Sequence, residues 1–264
     1  YKKLIMNSEE LKKIAEGLIE TTKFAGQKSV EIQEKGLKVN TKSDGSPVSN
    51  GDLEVNKILT EKIKQLTPNI PIVSEETVNL NNKNTLSTYW LIDPIDGTRE
   101  YIKGKDDYTL NSGLIIDKIP VLGVIGVPKK DRLFYSFGKN NSFMIEKNCT
   151  TKLNCKKKTP KKEIIALTNN VKPQREILNK LKEFGVTSFR KLSCSYKYCV
   201  IATGEFDIYV DKVRAKEWDD AAGQAIAEAA GAIVTSLDGE TFLYGKEDYK
   251  NPTILIRRSE NLNA

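Results

Sequence analysis

Apolar residues recur at helical spacing near the start of the chain. Leu11, Ile14, Ala15, Leu18 and Ile19, then Ala25 and Val30, mark one buried face of a long helix over residues 9–34, with Gly36 near its end. The polar stretch from Leu37 to Pro47, containing Lys42-Ser43-Asp44-Gly45-Ser46-Pro47, reads as a strand edge and turn. A second helix begins near Ser49, keeps Leu53, Ile58, Leu59, Ile63 and Leu66 on or near one face, and leaves at Pro68. Pro71-Ile72-Val73-Ser74 and Tyr89-Trp90-Leu91-Ile92 read as buried strands, separated by a polar, Asn-rich surface loop over residues 79–88. After Thr98 a short helical or looped stretch runs to Asp107. Strand patterns then follow at 108–116, 121–127, 133–137 and 142–145, divided by turn residues, which predicts an antiparallel meander. From residue 164 the style changes to strand 164–167, helix 173–184, strand 186–191, helix 195–203, strand 206–210, helix 219–230 and a last strand at 253–256. The expected organisation is an N-terminal α+β half, residues 1–150, holding the meander, and a C-terminal α/β half, residues 151–264, with the boundary near 146–162.

Composition narrows the class. At 264 residues the chain can bury a full core, and 39% hydrophobic with 29% charged residues is ordinary for a folded soluble protein. The longest apolar stretches, such as Val121 to Val127, are far too short to cross a bilayer, and no transmembrane span or secretory signal is visible. The first residue is Tyr1 rather than methionine, so the native start is left open. Cys149, Cys155, Cys194 and Cys199 show no C-x-x-C spacing, which favours a reducing cytoplasm and thiols that are buried or incidental.

The absence of histidine excludes more. It removes Ser-His and Cys-His nucleophiles, phosphohistidine chemistry and His-ligated metals together. The net charge of +7 suggests attraction to anions. The densest basic run, Lys156-Lys157-Lys158-Thr159-Pro160-Lys161-Lys162, contains a proline and no aromatic to stack a base, so it reads as a solvated loop and no nucleic-acid polymer is expected as partner.

Acids stand where strands end and helices begin. In Asp93-Pro94-Ile95-Asp96-Gly97-Thr98, Asp93 emerges at the C-terminal end of a strand, where open α/β sheets place ligands, and Asp96 follows across a bend that Pro94 and Gly97 permit. Alone, the hexapeptide is equally an exposed turn. Glu75-Glu76 closes another strand. Ser49-x-x-Asp52 matches a capping box, so Asp52 taken alone is first a structural acid, and Asp219 in Trp218-Asp219-Asp220-Ala221-Ala222-Gly223 taken alone is first an N-cap. Its alanines and Gly223 suit close packing on a neighbour. Together these segments suggest one cluster of like charges that needs cations, and an oxygen-only donor set selects Mg²⁺ or Mn²⁺ over zinc. Metal-assisted hydrolysis of a phosphate ester follows. Rival signatures are missing: there is no G-x-x-x-x-G-K-[ST] loop, no cysteine with an arginine six positions on, and the D-x-x-D spacing does not match the D-x-D of aspartyl-phosphate enzymes.

DPIDGT at 93–98, WDDAAG at 218–223, Ser74-Glu75-Glu76 and Ser46-Pro47-Val48-Ser49-x-x-Asp52 resemble, in order and spacing, the signatures of the inositol monophosphatase superfamily of lithium-sensitive, Mg²⁺-dependent phosphatases. The resemblance implies a layered α-β-α-β-α sandwich. It implies that Glu75, Asp93, the Ile95 carbonyl, Asp96 and Asp219 hold two or three Mg²⁺ ions, for which Mn²⁺ can substitute. Asp52 and Thr98 would orient and deprotonate the attacking water, while Asp96 and the backbone N–H groups of Gly97 and Thr98 meet the substrate phosphate. Arg99-Glu100-Tyr101 and Leu192-Ser193-Cys194-Ser195-Tyr196-Lys197-Tyr198-Cys199 are most similar to the 3'(2'),5'-bisphosphate nucleotidase branch. Cys194 stands where that branch usually has serine, so Arg99, Ser195 and Lys197 are the residues carried over as substrate contacts. Lys197 is either a point charge for a second phosphate or an ordinary solvated lysine. Asp211 stands where the branch usually has arginine, with Lys212 and Arg214 close by, and Gly51 replaces a usual alanine, a change expected to be harmless.

The expectation is therefore a cytoplasmic Mg²⁺-dependent phosphomonoesterase, monomer or homodimer, acting on a phosphorylated small molecule, with 3'-phosphoadenosine 5'-phosphate as its implied substrate. An inositol or other sugar monophosphate phosphatase is the alternative of the same class. A non-catalytic anion-binding protein is the alternative of another.

Overall fold

Helix α1, Ser8–Lys35, opens on a reciprocal cap: the Asn7 side chain accepts from the N–H groups of Glu9 and Glu10, both at 3.0 Å, and the Glu10 carboxylate accepts from Asn7 N–H at 2.8 Å. The computed structural model describes residues 6–80, 85–156, 163–210 and 215–262. Residues 157–162 of the basic run, residues 81–84 of the Asn-rich loop, and Asp211, Lys212 and Arg214 lie outside the described residues. Helix α1 buries the expected stripe of Leu11, Ile14, Ala15, Leu18 and Ala25, and α2, Asn50–Leu66, packs beside it through Val55, Leu59 and Ile63. A two-stranded hairpin, β1 Val39–Thr41 with β2 Pro47–Ser49, joins the helices.

These helices cover one face of a seven-stranded sheet. Its strands are β3 Ile72–Ser74, β4 Tyr89–Asp96, β5 Thr109–Ile116, β6 Ile119–Val127, β7 Arg132–Phe137, β8 Ser142–Glu146 and β9 Cys149–Lys152, in that spatial order. Only β3 and β4 run parallel; the rest form the predicted meander. Strand β9 extends it beyond the prediction, because Cys-Thr-Thr-Lys is exposed throughout and has no apolar alternation to betray it. A five-residue helix, α3 Thr98–Ile102, follows β4.

The second sheet has the order β11-β10-β12-β14-β13, with β10 Ile165–Thr168, β11 Ser188–Lys191, β12 Ile208–Val210, β13 Ile233–Ser236 and β14 Ile254–Arg257. β10 runs parallel to β11 and β12, while β14 is antiparallel to both its neighbours. Helix α4, Arg175–Glu183, closes the outer face with Ile177 and Leu181 against Ala166, Ile208 and Leu255. Helices α5, Tyr196–Ala202, and α6, Glu217–Ala229, lie between the sheets, which completes an α-β-α-β-α sandwich. A fully buried aliphatic side chain in that middle layer, such as Ile226, contributes about 1.5–3 kcal/mol.

Two glycine contacts set how closely α6 sits. A Cβ on Gly113 would stand 2.8 Å from the Ala222 nitrogen, so the helix backbone rests directly on β5. On the opposite side, Gly223 accepts the ring of Tyr198. Gly51 is not the neutral replacement that the sequence suggests. A Cβ there would come within 2.7 Å of Cε1 of Tyr101, whose hydroxyl donates to the Ser29 carbonyl at 2.6 Å, so the missing methyl makes room for that phenol. All four cysteines are free; Cys149 is exposed and the other three are buried. No helix among the described residues is long and apolar enough to cross a membrane.

Candidate active site

Strand β4 ends irregularly, and that irregularity aims its acids. Asp93 pairs with Asn111 and Asp96 with Thr109, so three steps on β4 oppose two on β5. In a regular strand residues three apart face opposite sides, whereas a bulge re-aims them. Gly97 then turns the chain at φ 98°, and a Cβ there would meet the Asp107 carbonyl at 2.9 Å, so glycine is required on both counts.

Three acids from three elements converge here. Carboxylate oxygens of Glu75 after β3, Asp93 on β4 and Asp219 on α6 all lie within 4.8 Å of one another. Asp219 is not the N-cap that it suggests when taken alone. Helix α6 begins two residues earlier, at Glu217, and Asp219 closes a turn by accepting from Lys216 N–H at 2.8 Å. Asp96 stands beside the three and is held from the other half of the molecule: its Oδ2 accepts from Ser195 N–H at 2.5 Å and from Ser195 Oγ at 2.6 Å. The Ser195 hydroxyl also touches the Asp219 carbonyl and accepts from Asn111 Nδ2 at 2.9 Å.

Asp52 caps α2 with one oxygen and meets Thr98 with the other. Its Oδ2 closes the α2 capping box, accepting from Ser49 N–H at 2.8 Å and Ser49 Oγ at 2.6 Å, while its Oδ1 lies 3.0 Å from Thr98 Oγ1. Thr98 Oγ1 is also 2.9 Å from the Ile95 carbonyl. Asp52, Ile95 and Thr98 thus form one hydrogen-bonded corner beside the three acids. Arg99 is exposed on α3. Lys197 is set back, 3% exposed, with Nζ 5.4 Å from the Tyr198 ring centroid and 5.3 Å from that of Tyr209.

The electrostatics are those of an uncompensated cluster. Burial, then the charges of Glu75, Asp96 and Asp219, push the Asp93 carboxyl well above the usual range. Burial, with Asp96, Asp220 and Glu75 beside it, does the same to Asp219. Asp93 Oδ1 is buried and has no hydrogen-bond partner among the described residues. An orphaned carboxylate oxygen among converging acids, with neither His nor Cys in the set, fits a hard divalent cation.

Some members of the site gave no sign in the sequence. Lys42 Nζ reaches from the hairpin to Glu75 Oε1 at 3.0 Å and Glu76 Oε1 at 2.9 Å. Burial, only partly offset by Lys42, raises the Glu76 carboxyl to about 7. Behind α6, Glu217 is fully buried and accepts from Tyr89 OH at 2.8 Å and from Lys246 N–H and Nζ at 3.0 and 2.9 Å. Asp220 accepts from Tyr198 OH at 3.0 Å and Asn251 Nδ2 at 2.8 Å. Burial raises the Asp220 carboxyl, with Lys197 and these two donors working the other way. The loop over residues 244–251 therefore fastens the start of the helix that presents Asp219.

A five-layered sandwich with an oxygen-only acid cluster at the ends of its strands is the make-up of a phosphatase. The chain belongs to the inositol monophosphatase family, whose family model matches residues 4–263. It is 31% identical over 241 residues to the 3'(2'),5'-bisphosphate nucleotidase CysQ of Salmonella typhimurium, covering 90% of this chain and 96% of that one. The CysQ nucleotidase of Buchnera aphidicola is 31% identical over 237 residues, covering 88% of each. Among solved structures, CysQ from Bacteroides thetaiotaomicron superposes with a TM-score of 0.72 at 25% identity, over 96% of this chain and 98% of that one. An IMPase/NADP phosphatase complexed with Mg²⁺ and phosphate shares the fold at a TM-score of 0.76 and 20% identity, over 94% of this chain and 92% of that one.

Proposed function

We propose that the protein is a Mg²⁺-dependent phosphomonoesterase that removes the 3'-phosphate of 3'-phosphoadenosine 5'-phosphate, giving AMP and inorganic phosphate. The observation behind it is the convergence of Glu75, Asp93 and Asp219 within 4.8 Å around an unpartnered Asp93 oxygen, next to the Asp52–Thr98 hydrogen bond. Glu75, Asp93, Asp219, Asp96 and the Ile95 carbonyl would hold the ions, as the resemblance implies, and a neighbour of the same fold carries Mg²⁺ with phosphate. Bound Mg²⁺ supplies a more acidic water and offsets charge on the phosphate.

The chain's own groups do the rest. With its hydroxyl hydrogen directed to Asp52 Oδ1, Thr98 keeps a lone pair for the attacking water, so the water's proton passes toward a buried carboxylate through one hydroxyl. Backbone N–H groups of Gly97 and Thr98 would receive phosphate oxygens. The ester P–O bond breaks, the phosphorus gains the water oxygen, and the departing sugar oxygen takes up a proton. Ligand binding on this side is supported by the second sheet: β11 and β12 flank β10, so a topological switch point lies at the C-terminal end of β10, next to the segment that carries Ser195. The names of the CysQ relatives point the same way.

A second reading, hydrolysis of inositol or another sugar phosphate, is favoured by the burial of Lys197, which withdraws one cation from a second phosphate. The test is phosphate release from 3'-phosphoadenosine 5'-phosphate, inositol 1-phosphate and fructose 1,6-bisphosphate in parallel, with Mg²⁺ and with chelator. The nucleotide should give the highest kcat/KM and chelator should abolish it. Preference for inositol 1-phosphate selects the second reading, and release that survives both chelator and Asp96→Asn overturns the metal-dependent reading.

A further inference from the structure

Asn111 carries an amide into an apolar layer. On β5 it lies two residues before Gly113, and so on the face against which α6 rests, and it is paired across to β6 with Ile125 of the middle core. On its other side it is paired with Asp93 of β4, and residues directly opposite on neighbouring strands share a face. Asn111 is buried at 1% exposure. Its Nδ2 donates to Ser195 Oγ at 2.9 Å, while its Oδ1 is buried without a hydrogen-bond partner among the described residues. A buried carbonyl left unpaired is destabilising, so an apolar side chain would serve the fold better at this position. The use of the amide lies in its donor.

The neighbours of Ser195 Oγ fix which way that bond runs. A hydroxyl has one hydrogen to give and two lone pairs with which to receive. The carboxylate oxygen Asp96 Oδ2, at 2.6 Å, and the Asp219 carbonyl can only accept from it. Were the amide turned to present Oδ1, three acceptors would compete for one hydrogen. With Nδ2 in place, Asn111 fills a lone pair of Oγ and confines the hydrogen to the side of Asp96 and Asp219. Asp96 Oδ2 also takes the Ser195 N–H at 2.5 Å. An acid of the first sheet and the start of α6 therefore meet at one serine hydroxyl, and Asn111 orients it.

We propose that Asn111 is a positioning residue of the acid cluster: by donating to Ser195 Oγ it aims the Ser195 hydroxyl at Asp96 and so sets the orientation in which that carboxylate meets a divalent cation. The inference rests on the metal-dependent reading above. It adds to that site a residue outside every motif read from the sequence, and one that acts through Ser195 rather than on the cation itself.

The experiment is a double-mutant cycle of wild type, Asn111→Ala, Ser195→Ala and the double variant, read by calorimetric Mg²⁺ binding and by denaturant and thermal melts in chelator. Asn111→Ala should raise the apparent Mg²⁺ Kd about three- to ten-fold, the range that one hydrogen bond carries. It should add nothing to the effect of Ser195→Ala, because its influence passes through that hydroxyl. Asn111→Leu, which stays close to the shape of the amide without its donor, should weaken Mg²⁺ binding equally while its Tm in chelator stays at or above that of wild type. A packing role predicts instead a lower Tm in chelator with an unchanged Mg²⁺ Kd, or losses of Mg²⁺ affinity that add across the cycle, and either result overturns the proposal. If wild type binds no Mg²⁺, the metal-dependent reading fails by itself. The link from Asn111 to Ser195 is then read from the melts of the same four proteins in chelator, where additive changes in stability overturn it.

Discussion

Ser195 holds Asp96 from the opposite half of the molecule, with its N–H at 2.5 Å and its hydroxyl at 2.6 Å from one carboxylate oxygen. Fully buried itself, Ser195 orients a carboxylate of the acid cluster. Partners of this kind usually matter by about 10–100-fold in metal affinity or activity. Ser195→Ala keeps the backbone donor and loses the hydroxyl, so the Mg²⁺ concentration for half-maximal phosphate release should rise within that range. An unchanged Mg²⁺ requirement would show that the hydroxyl does not orient Asp96.

Asp93 is the acid with the least compensation. Asp93→Asn removes one like charge from the cluster, so the chelated protein should melt no lower than wild type. Wild type should gain about 2.7 kcal/mol at a Mg²⁺ concentration 100-fold above Kd. The variant should gain almost nothing and lose phosphate release by orders of magnitude. Thermal melts with chelator and with Mg²⁺ decide it: an equal Mg²⁺ gain in both proteins would exclude Asp93 as a ligand.

Gly51 and Tyr101 occupy one volume between them. Gly51→Ala should cost about 1–3 kcal/mol, as overpacking in a dense interior does. The same change made together with Tyr101→Phe should cost measurably less than the sum of the two single effects. A denaturant-melt double-mutant cycle reads the coupling, and strict additivity would mean that the Tyr101 hydroxyl, the atom nearest the added methyl, is not what excludes it.

The thiols give a pH-dependent readout. Burial raises Cys155 to about 11 and Cys194 to about 12, and Cys199 rises for the same reason. Because the thiolate is the reacting form, a raised pKa suppresses alkylation at every pH below it. At pH 8 iodoacetamide should modify Cys149 alone in the native protein and all four cysteines in denaturant, as counted by intact-mass measurement. A second modified cysteine in the native state would contradict the burial of Cys155, Cys194 and Cys199.

What could be read from the sequence was whatever is local. Helices α1 and α2 announce themselves by one apolar stripe each, and the acids of DPIDGT by their place after an apolar run. Strand β13, Ile233–Ser236, is not predicted even though Gly231 and Asp238-Gly239 bracket it, because so short a run lies directly behind the apolar pattern of α6. Asp219 taken alone resembles an N-cap because Lys216, which actually precedes the helix, is not a capping residue type. The supports of the site were illegible for a different reason. Lys42 meets Glu75 across 33 positions, Asn111 meets Ser195 across 84, Lys246 meets Glu217 across 29 and Asn251 meets Asp220 across 31. No periodicity encodes contacts at such separations; only the tertiary fold creates them.

The anchoring of α6 by Lys246 and Asn251 has a consequence for the order of synthesis. Asp52, Glu75, Asp93 and Asp96 leave the ribosome long before Asp219, and the two side chains that steady the helix bearing Asp219 come later still. A nascent chain that has already built its first sheet therefore carries four acids with neither the fifth nor Ser195 to orient them. Hydrolytic competence arrives at once, near the end of translation, and a fragment ending after the first sheet should be inert rather than a weaker catalyst.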